Sequence, residues 1–248
     1  MTPFELARTT LSNDQTFGVW SLIVTFFGDM AQGDNDRVSG TALTAVCEKL
    51  GIKPQAMRVA LHRLRKDGWI DSVKMGRRSA YFLTQASREE SAKASDRIYT
   101  NSTPTFSGLD ILISPLKDVP DPWLSAGPEI FVSFRNGTKT PKNSIVTHYD
   151  GPVPDWLPKR LIAWDIVEGY QNFETRMQDI TTDEWPQFSP HEIAAVRVLL
   201  VHNWRRLVLR HPVLPLEAFP GDCPIQECYS RFLRLLAQLP RPKLKSLE

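Results

Sequence analysis

Cysteine is scarce in this chain of 248 residues, which contains only three. None of Cys47, Cys223 and Cys228 belongs to a C-x-x-C pair or lies beside a histidine at the spacing of a metal site. A sparse, odd set of cysteines argues against a disulfide framework and is typical of the reducing cytosol. We therefore expect a cytoplasmic protein.

Long apolar runs are missing as well. The longest, Phe17 to Phe27, is interrupted by Gly18, Ser21 and Thr25. It is too short to cross a hydrocarbon core of about 30 Å. The N-terminus also lacks the basic, apolar and small-residue succession of a signal peptide. We expect no signal peptide, no anchor and no membrane-spanning segment.

The common enzyme signatures are a third absence. No G-x-S-x-G, G-x-G-x-x-G or phosphate-loop pattern occurs. His191-Glu192 begins like a zinc-protease helix, but Ala195 stands where the second ligand belongs, so one histidine is left for a site that needs three ligands. The sequence predicts no catalytic residue, no metal site and no cofactor.

Positive charge, in contrast, is concentrated in one segment. Residues 39–88 hold ten Lys and Arg against three Asp and Glu, a balance of +7 in a chain whose net charge is +2. The remainder therefore carries −5. Such asymmetry is typical of a chain with one face that binds a polyanion.

The same segment has the pattern of two helices joined by a tight turn. Ser39 can cap a helix from about Thr41 to Leu50, and Gly51 can end it in the left-handed conformation. Pro54 suits the first turn of a further helix, which runs to about Lys66. A join of three residues containing glycine has the spacing of a helix-turn-helix.

A change of period follows this pair of helices. From Trp69 to Leu83 the apolar residues alternate around Gly76, which predicts a hairpin with a basic tip. We place a winged helix-turn-helix in residues 1–88 and a helical linker in 89–105. Short β-prone runs at 109–114, 129–134, 144–149 and 160–166 predict a small α+β middle domain in 106–167, and a helical C-terminal domain follows in 168–248.

The predicted helix from Pro54 to about Lys66 carries the candidate contacts to the bases of DNA. Met57, Ala60, Leu61 and Leu64 share one arc of the helical wheel, and polar side chains share the opposite arc. Arginine, glutamine and histidine can read base edges, whereas lysine and arginine also bind phosphates. We predict that Gln55, Arg58 and His62 read bases and that Lys53, Arg65 and Lys66 contact phosphates. The hairpin cations Lys74, Arg77 and Arg78 are predicted to face either the phosphate backbone or a narrow minor groove.

Several ordered blocks also resemble one family. They are residues 21–29, Met57-Arg58-Val59-Ala60-Leu61-His62-Arg63-Leu64, 76–84, Ala163-Trp164-Asp165-Ile166 and 202–207. These blocks resemble the PaaX-like repressors of phenylacetic acid degradation. The resemblance implies a homodimeric, effector-responsive repressor with an N-terminal winged helix, a small ferredoxin-like middle domain and a helical C-terminal domain. In the best-known members the inducer is phenylacetyl-CoA, so an acyl-CoA effector is expected here.

Two questions stay open from the sequence. Arg160, Trp164, Arg205 and Arg206 are candidate contacts for an acidic or aryl-CoA effector, with inter-domain packing as an equal alternative. Asp110 opens the first middle-domain strand, where ferredoxin-like nucleases use an aspartate for metal. A metal-dependent nuclease is therefore the alternative to a regulator.

Overall fold

The computed structural model describes residues 1–12, 17–76, 78–100, 103–116, 119–134, 138–183 and 185–248. Within these ranges the chain is a mixed α/β protein with nine α-helices and two antiparallel sheets. No helix in them has the length and apolar character that crossing a membrane requires. The helices are α1 (Pro3–Ser12), α2 (Val19–Met30), α3 (Gly40–Lys49), α4 (Pro54–Lys66), α5 (Gln85–Tyr99), α6 (Trp156–Leu161), α7 (Trp164–Gln178), α8 (Pro190–Val208) and α9 (Ile225–Ala237), and the strands are β1 (Val38–Ser39), β2 (Ile70–Met75), β3 (Arg78–Leu83), β4 (Leu109–Ile113), β5 (Leu124–Gly127), β6 (Ile130–Ser133) and β7 (Ile145–Tyr149).

The chain divides into two compact units. The first comprises Met1–Thr100, Phe173–Leu209 and Glu227–Glu248, and the second comprises Asn101–Asn172 and Arg210–Gln226. This division differs from the predicted one, in which residues 168–248 formed a helical domain of their own. Most of that segment packs with the N-terminal hundred residues, because α8 is buried on nearly every side and needs neighbours all around it.

Helix α8 is the centre of the first unit. It contacts α1, α2, α3 and α5, and its residues from Ala194 to Trp204 are all buried. Trp204 stacks on Phe232 with ring centroids 5.1 Å apart, and its indole Nε1 donates to the Ile98 carbonyl at 2.9 Å. The helix begins with a capping box, in which the Ser189 hydroxyl accepts from the Glu192 N–H and the Glu192 carboxylate accepts from the Ser189 N–H.

A buried ion pair joins α2 to α8. Arg197 Nη2 donates to Asp29 Oδ1 at 2.9 Å, and Tyr99 donates to the same oxygen at 2.6 Å. Arg241 Nε approaches this carboxylate at 3.3 Å. Helix α2 continues through Gly28 and Asp29 to Met30, and the Asp29 carboxylate has its partners inside the protein.

Local signals explain the segment from α3 to the hairpin. The Ser39 hydroxyl accepts from the Ala42 N–H at 3.1 Å, as predicted, and Gly51 adopts a φ of +76° just after α3. Pro54 occupies the first turn of α4, where its missing N–H costs no hydrogen bond. Strands β2 and β3 then form the predicted hairpin, and β1 pairs with β3 to complete a sheet in the order β1-β3-β2.

The second unit contains a four-stranded sheet in the order β5-β6-β4-β7. Leu112, Trp123 and Phe131 form its small apolar cluster. Three of the predicted strands are confirmed, but β5 was missed, since it is only four residues long and lies in a segment rich in proline and glycine. The strand predicted for 160–166 is wrong. Those residues end α6 and begin α7, and the β-branched Ile162 and Ile166 made a helical segment resemble a strand.

Candidate nucleic-acid interface

Helix α4 has one buried and one exposed face, as its sequence predicts. Met57, Ala60, Leu61 and Leu64 are buried, and Leu64 has no exposed surface. Because the helical period is about 3.6 residues, the side chains on the other arc project away from this core. All the polar side chains predicted on α4 and at its start are exposed: Lys53, Gln55, Arg58, His62, Arg65 and Lys66.

The cations of this surface have no carboxylate partner in the part of the chain that the structure describes. Among the residues that the structure describes, no carboxylate forms an ion pair with Lys53, Arg58, Arg65 or Lys66. Arg63, on the flank of the same helix, differs: it lies 3.5 Å from Asp67 and over the Trp20 ring. The exposed arc therefore keeps its positive charge available for an external anion.

One contact orders the predicted base-reading residues. Arg58 Nη2 donates to Gln55 Oε1 at 3.0 Å. The two side chains are three residues apart and lie on one face of the helix. The amide oxygen of Gln55 thus holds the Arg58 guanidinium on the exposed face near the N-terminal end of α4.

The hairpin carries a second set of cations. Gly76 adopts a φ of +63°, a conformation that glycine reaches without steric cost. Lys74 lies opposite Ser79, and Met75 lies opposite Arg78. Since side chains alternate between faces along a strand, Lys74 and Arg78 project from opposite faces of the hairpin. Both are exposed, and the predicted contact Arg77 lies outside the described residues.

Sequence reasoning missed one residue of the α4 surface. Val59 is 61% exposed although it is a large apolar residue. The same helical wheel that selected Arg58 and His62 places Val59 on their arc, so this signal was available but went unused. An exposed valine on a polar surface suits an apolar partner such as the C5-methyl group of thymine.

The four candidate effector contacts are not brought together within either unit. Arg160 and Trp164 belong to the second unit and are exposed, Trp164 by 62%. Arg205 and Arg206 belong to the first unit. Arg205 lines a cavity and donates to the Thr25 hydroxyl at 3.1 Å, whereas the exposed Arg206 lies over the Phe17 ring.

Asp110, on which the nuclease alternative rests, has a structural partner. His148 Nδ1 lies 2.9 Å from Asp110 Oδ1, and His148 Nε2 lies 2.8 Å from Asp150. The hydrogen bond to Asp110, aided by Asp150, raises the pKa of His148 above its ordinary value. A carboxylate engaged in this way does not favour the nuclease alternative, and the described residues contain no group of three potential ligands that could hold a metal.

These features define a protein with a surface for binding a polyanion. The protein presents a cationic helix, preceded by a tight turn and followed by a cationic hairpin, on a mixed α/β framework. Such a surface is suited to a polyanion.

The chain belongs to the PaaX-like family. The family model described as PaaX-like protein matches residues 19–87, which contain α4 and the hairpin. The family model described as PaaX-like protein C-terminal domain matches residues 163–246. The transcriptional repressor PaaX of Escherichia coli (strain K12) is 26% identical over 251 residues, covering 87% of this chain and 79% of that protein. The resemblance found from the sequence is thereby confirmed.

One solved structure also matches this chain. It is the uncharacterized protein Rv0674 from Mycobacterium tuberculosis, with a TM-score of 0.49 and 16% identity, and the match covers 88% of this chain and 94% of that one.

Proposed function

We propose that this chain is a DNA-binding transcriptional repressor and that residues 1–88 act as its winged helix-turn-helix. The observation that carries the proposal is the exposed arc of α4, whose cations have no carboxylate partner among the described residues. A helix about 10 to 12 Å across fits the major groove of duplex DNA. The similarity to a protein named as a transcriptional repressor supports the same function.

The residues of this surface divide into two roles. Gln55, Arg58 and His62 lie in the first nine residues of α4, and the N-terminal part of a recognition helix approaches the bases most closely. Arg58 is suited to the O6 and N7 atoms of guanine, and Gln55 to adenine. The phosphate contacts are assigned to Lys53, Arg65, Lys66, Lys74, Arg77 and Arg78.

The repressor acts as a homodimer in this proposal. Two recognition helices related by a twofold axis enter successive major grooves, about 34 to 36 Å apart or a multiple of that distance. The operator is then an imperfect palindrome.

Effector control completes the proposal. The middle segment 106–167 is assigned to a ferredoxin-like domain, for which the four-stranded antiparallel sheet is the supporting feature. An aryl-CoA thioester lowers the DNA affinity by binding more tightly to a dimer conformation whose recognition helices cannot span the operator.

The test compares Arg58→Ala with Lys159→Ala, which removes the same charge from the exposed surface of α6. The DNA is the region upstream of the gene that encodes the chain. Arg58→Ala is expected to weaken specific binding by about 1 to 3 kcal/mol and to relax the preference for one base. Lys159→Ala is expected to bind like the wild type. Equal affinities for all three proteins would contradict the assignment of α4 as the recognition helix.

A further inference from the structure

The outer end of the hairpin carries exposed apolar side chains. Met75, the last residue of β2, is 60% exposed, and Val73, two positions before it, is 42% exposed. Because side chains alternate between faces along a strand, these two lie on the same face of the hairpin. A single exposed apolar residue is common on protein surfaces, whereas these two form a strip that ends at the tip.

Positive charge borders this strip on both faces of the hairpin. Met75 lies opposite Arg78 in the last pair of β2 and β3, so Arg78 shares its face, whereas Lys74 projects from the other face. In the described chain, no carboxylate forms an ion pair with Lys74 or Arg78. An apolar tip between two cations is complementary to a groove with anionic borders and a less polar floor.

The minor groove of duplex DNA has this arrangement, because phosphates border it and base edges form its floor. The groove is about 7.5 Å deep, and the two steps from Val73 to Met75 span about 7 Å of strand. With Lys74 and Arg78 at the phosphates, Met75 reaches the bases. A second copy of the chain fits this tip less well, since a twofold axis there places each cation near its own copy.

An undistorted minor groove is too narrow for this hairpin. The groove is about 6 Å wide, and the two strands alone lie about 4.8 Å apart before their side chains are counted. Proteins that enter this groove often insert an apolar side chain between two base pairs, which bends the duplex by about 20° to 90° towards the major groove. Such a bend opens the minor groove, so the inserted side chain also makes room for the hairpin.

Met75 has the properties of such a wedge. Its side chain is unbranched and has three rotatable bonds, so it can enter a narrow gap between base pairs. Gly76 follows it with a φ of +63°, and a Cβ at that position would have no heavy atom within 4 Å. The described chain therefore leaves space around the residue that follows the wedge.

We propose that Met75 inserts between two base pairs from the minor groove of the operator and bends the DNA, with Lys74 and Arg78 on the flanking phosphates. This inference deepens the proposed function and rests on it. Helix α4 reads base edges in the major groove, whereas the hairpin selects a step that unstacks easily. Pyrimidine–purine steps are the most flexible, so one of them is expected where the hairpin enters.

DNA bending by the full chain tests the wedge. Fragments of equal length from the region upstream of the gene, with the bound site at different positions, are compared by the gel mobility of their complexes. The wild type is expected to bend the DNA by about 20° or more, and Met75→Gln, which replaces the apolar end by an amide, should lose most of the bend. Met75→Leu should retain it, because its side chain is apolar.

The control for these variants is Leu6→Gln, at a 40% exposed position of α1, which should bend DNA like the wild type. Equal bends in the wild type and Met75→Gln would overturn the proposal. The same loss of bending in Met75→Leu and Met75→Gln would also overturn it, because an apolar side chain would then not be the cause of the bend.

A fluorescent base detects the unstacked step itself. The analogue 2-aminopurine, placed at successive positions of the bound site, fluoresces more strongly when it loses its stacked neighbour. One position should brighten about twofold or more with the wild type and Met75→Leu, and should not brighten with Met75→Gln. No brightening at any position with the wild type would overturn the insertion.

The wedge and the proposed function fail in different ways. Met75→Gln removes no charge, so the slope of log K against log salt should equal that of the wild type, and a changed slope would overturn the wedge. DNA binding without a bend would remove the wedge and leave the proposed function, whereas no DNA binding by the wild type would remove both. Binding to phosphatidylserine vesicles that is lost in Met75→Gln, with the DNA bend unchanged, would assign the tip to a lipid surface instead.

Discussion

Helices α4 and α8 contain the same kinds of polar residue in opposite settings. On α4, Arg58 and His62 are exposed, and Arg58 has no carboxylate partner in the described chain. On α8, Arg197 and His202 are buried, and both have partners inside the protein. The difference teaches that the residue type does not decide the role. Buried groups with partners inside the protein hold the first unit together, whereas exposed cations such as Arg58, with no carboxylate partner in the described chain, remain for an external anion.

The largest expected change in the free energy of unfolding comes from breaking the buried ion pair between Asp29 and Arg197. Asp29→Ala leaves Arg197 buried without its carboxylate and also removes the acceptor of Tyr99. Loss of one partner of a buried ion pair costs about 3 to 5 kcal/mol, so urea unfolding should show a decrease of that size. The control is Asp67→Ala, which breaks the exposed pair with Arg63 and should cost about 0.5 kcal/mol or less. Similar losses in the two variants would contradict the comparison.

The pH dependence of the unfolding free energy tests whether His202 on α8 is a buried neutral group. Its pKa is lowered from 6.5 to about 3, chiefly by burial, so protonation favours the unfolded chain. The stabilisation is fully present above pH 6.5 and is lost as the pH falls from there toward 3. Between pH 7 and 5, the unfolding free energy of the wild type should fall by about 2 kcal/mol more than that of His202→Gln. A difference that does not change with pH would show that His202 is not a buried neutral group.

The smallest expected effect is a change in DNA affinity at Val59, on the exposed face of α4. If its methyl groups contact the C5-methyl of a thymine, replacing that thymine by uracil should weaken wild-type binding by about 0.8 kcal/mol. Val59→Ala should show no such discrimination, with unfolding changed by about 0.5 kcal/mol or less. Val213→Ala, at an exposed valine of the second unit, should discriminate like the wild type. Discrimination retained in Val59→Ala would remove this residue from the proposed interface.

The sequence predicted interactions between residues that are near one another in the chain and missed those between residues far apart in it. The cap at Ser39, the turn at Gly51 and the start of α4 at Pro54 depend on residues a few positions apart, so each was predicted from its neighbours. The pairing of Asp29 with Arg197 spans 168 positions. Nothing in the residues around Asp29 indicates this partner, and the packing of α8 against the N-terminal helices was missed for the same reason.

The candidate site shows the same limit. The exposed and buried arcs of α4 follow from its period alone, and all the polar residues predicted for that helix are exposed. The hydrogen bond between Arg58 and Gln55 and the divergence of Lys74 and Arg78 needed coordinates. The cavity at Arg205 is formed by three helices that are far apart in the chain, so no local pattern indicates it.

The salt dependence of DNA binding tests the central claim most directly. Lys66→Gln and Arg78→Gln each remove one cation from the proposed interface, while Lys159→Gln removes one from another surface. If the cations of α4 and the hairpin neutralise phosphates, each of the first two substitutions lowers the slope of log K against log salt by about 0.9. The slope of Lys159→Gln should equal that of the wild type. Equal slopes in all four proteins would contradict the assignment of this surface to DNA.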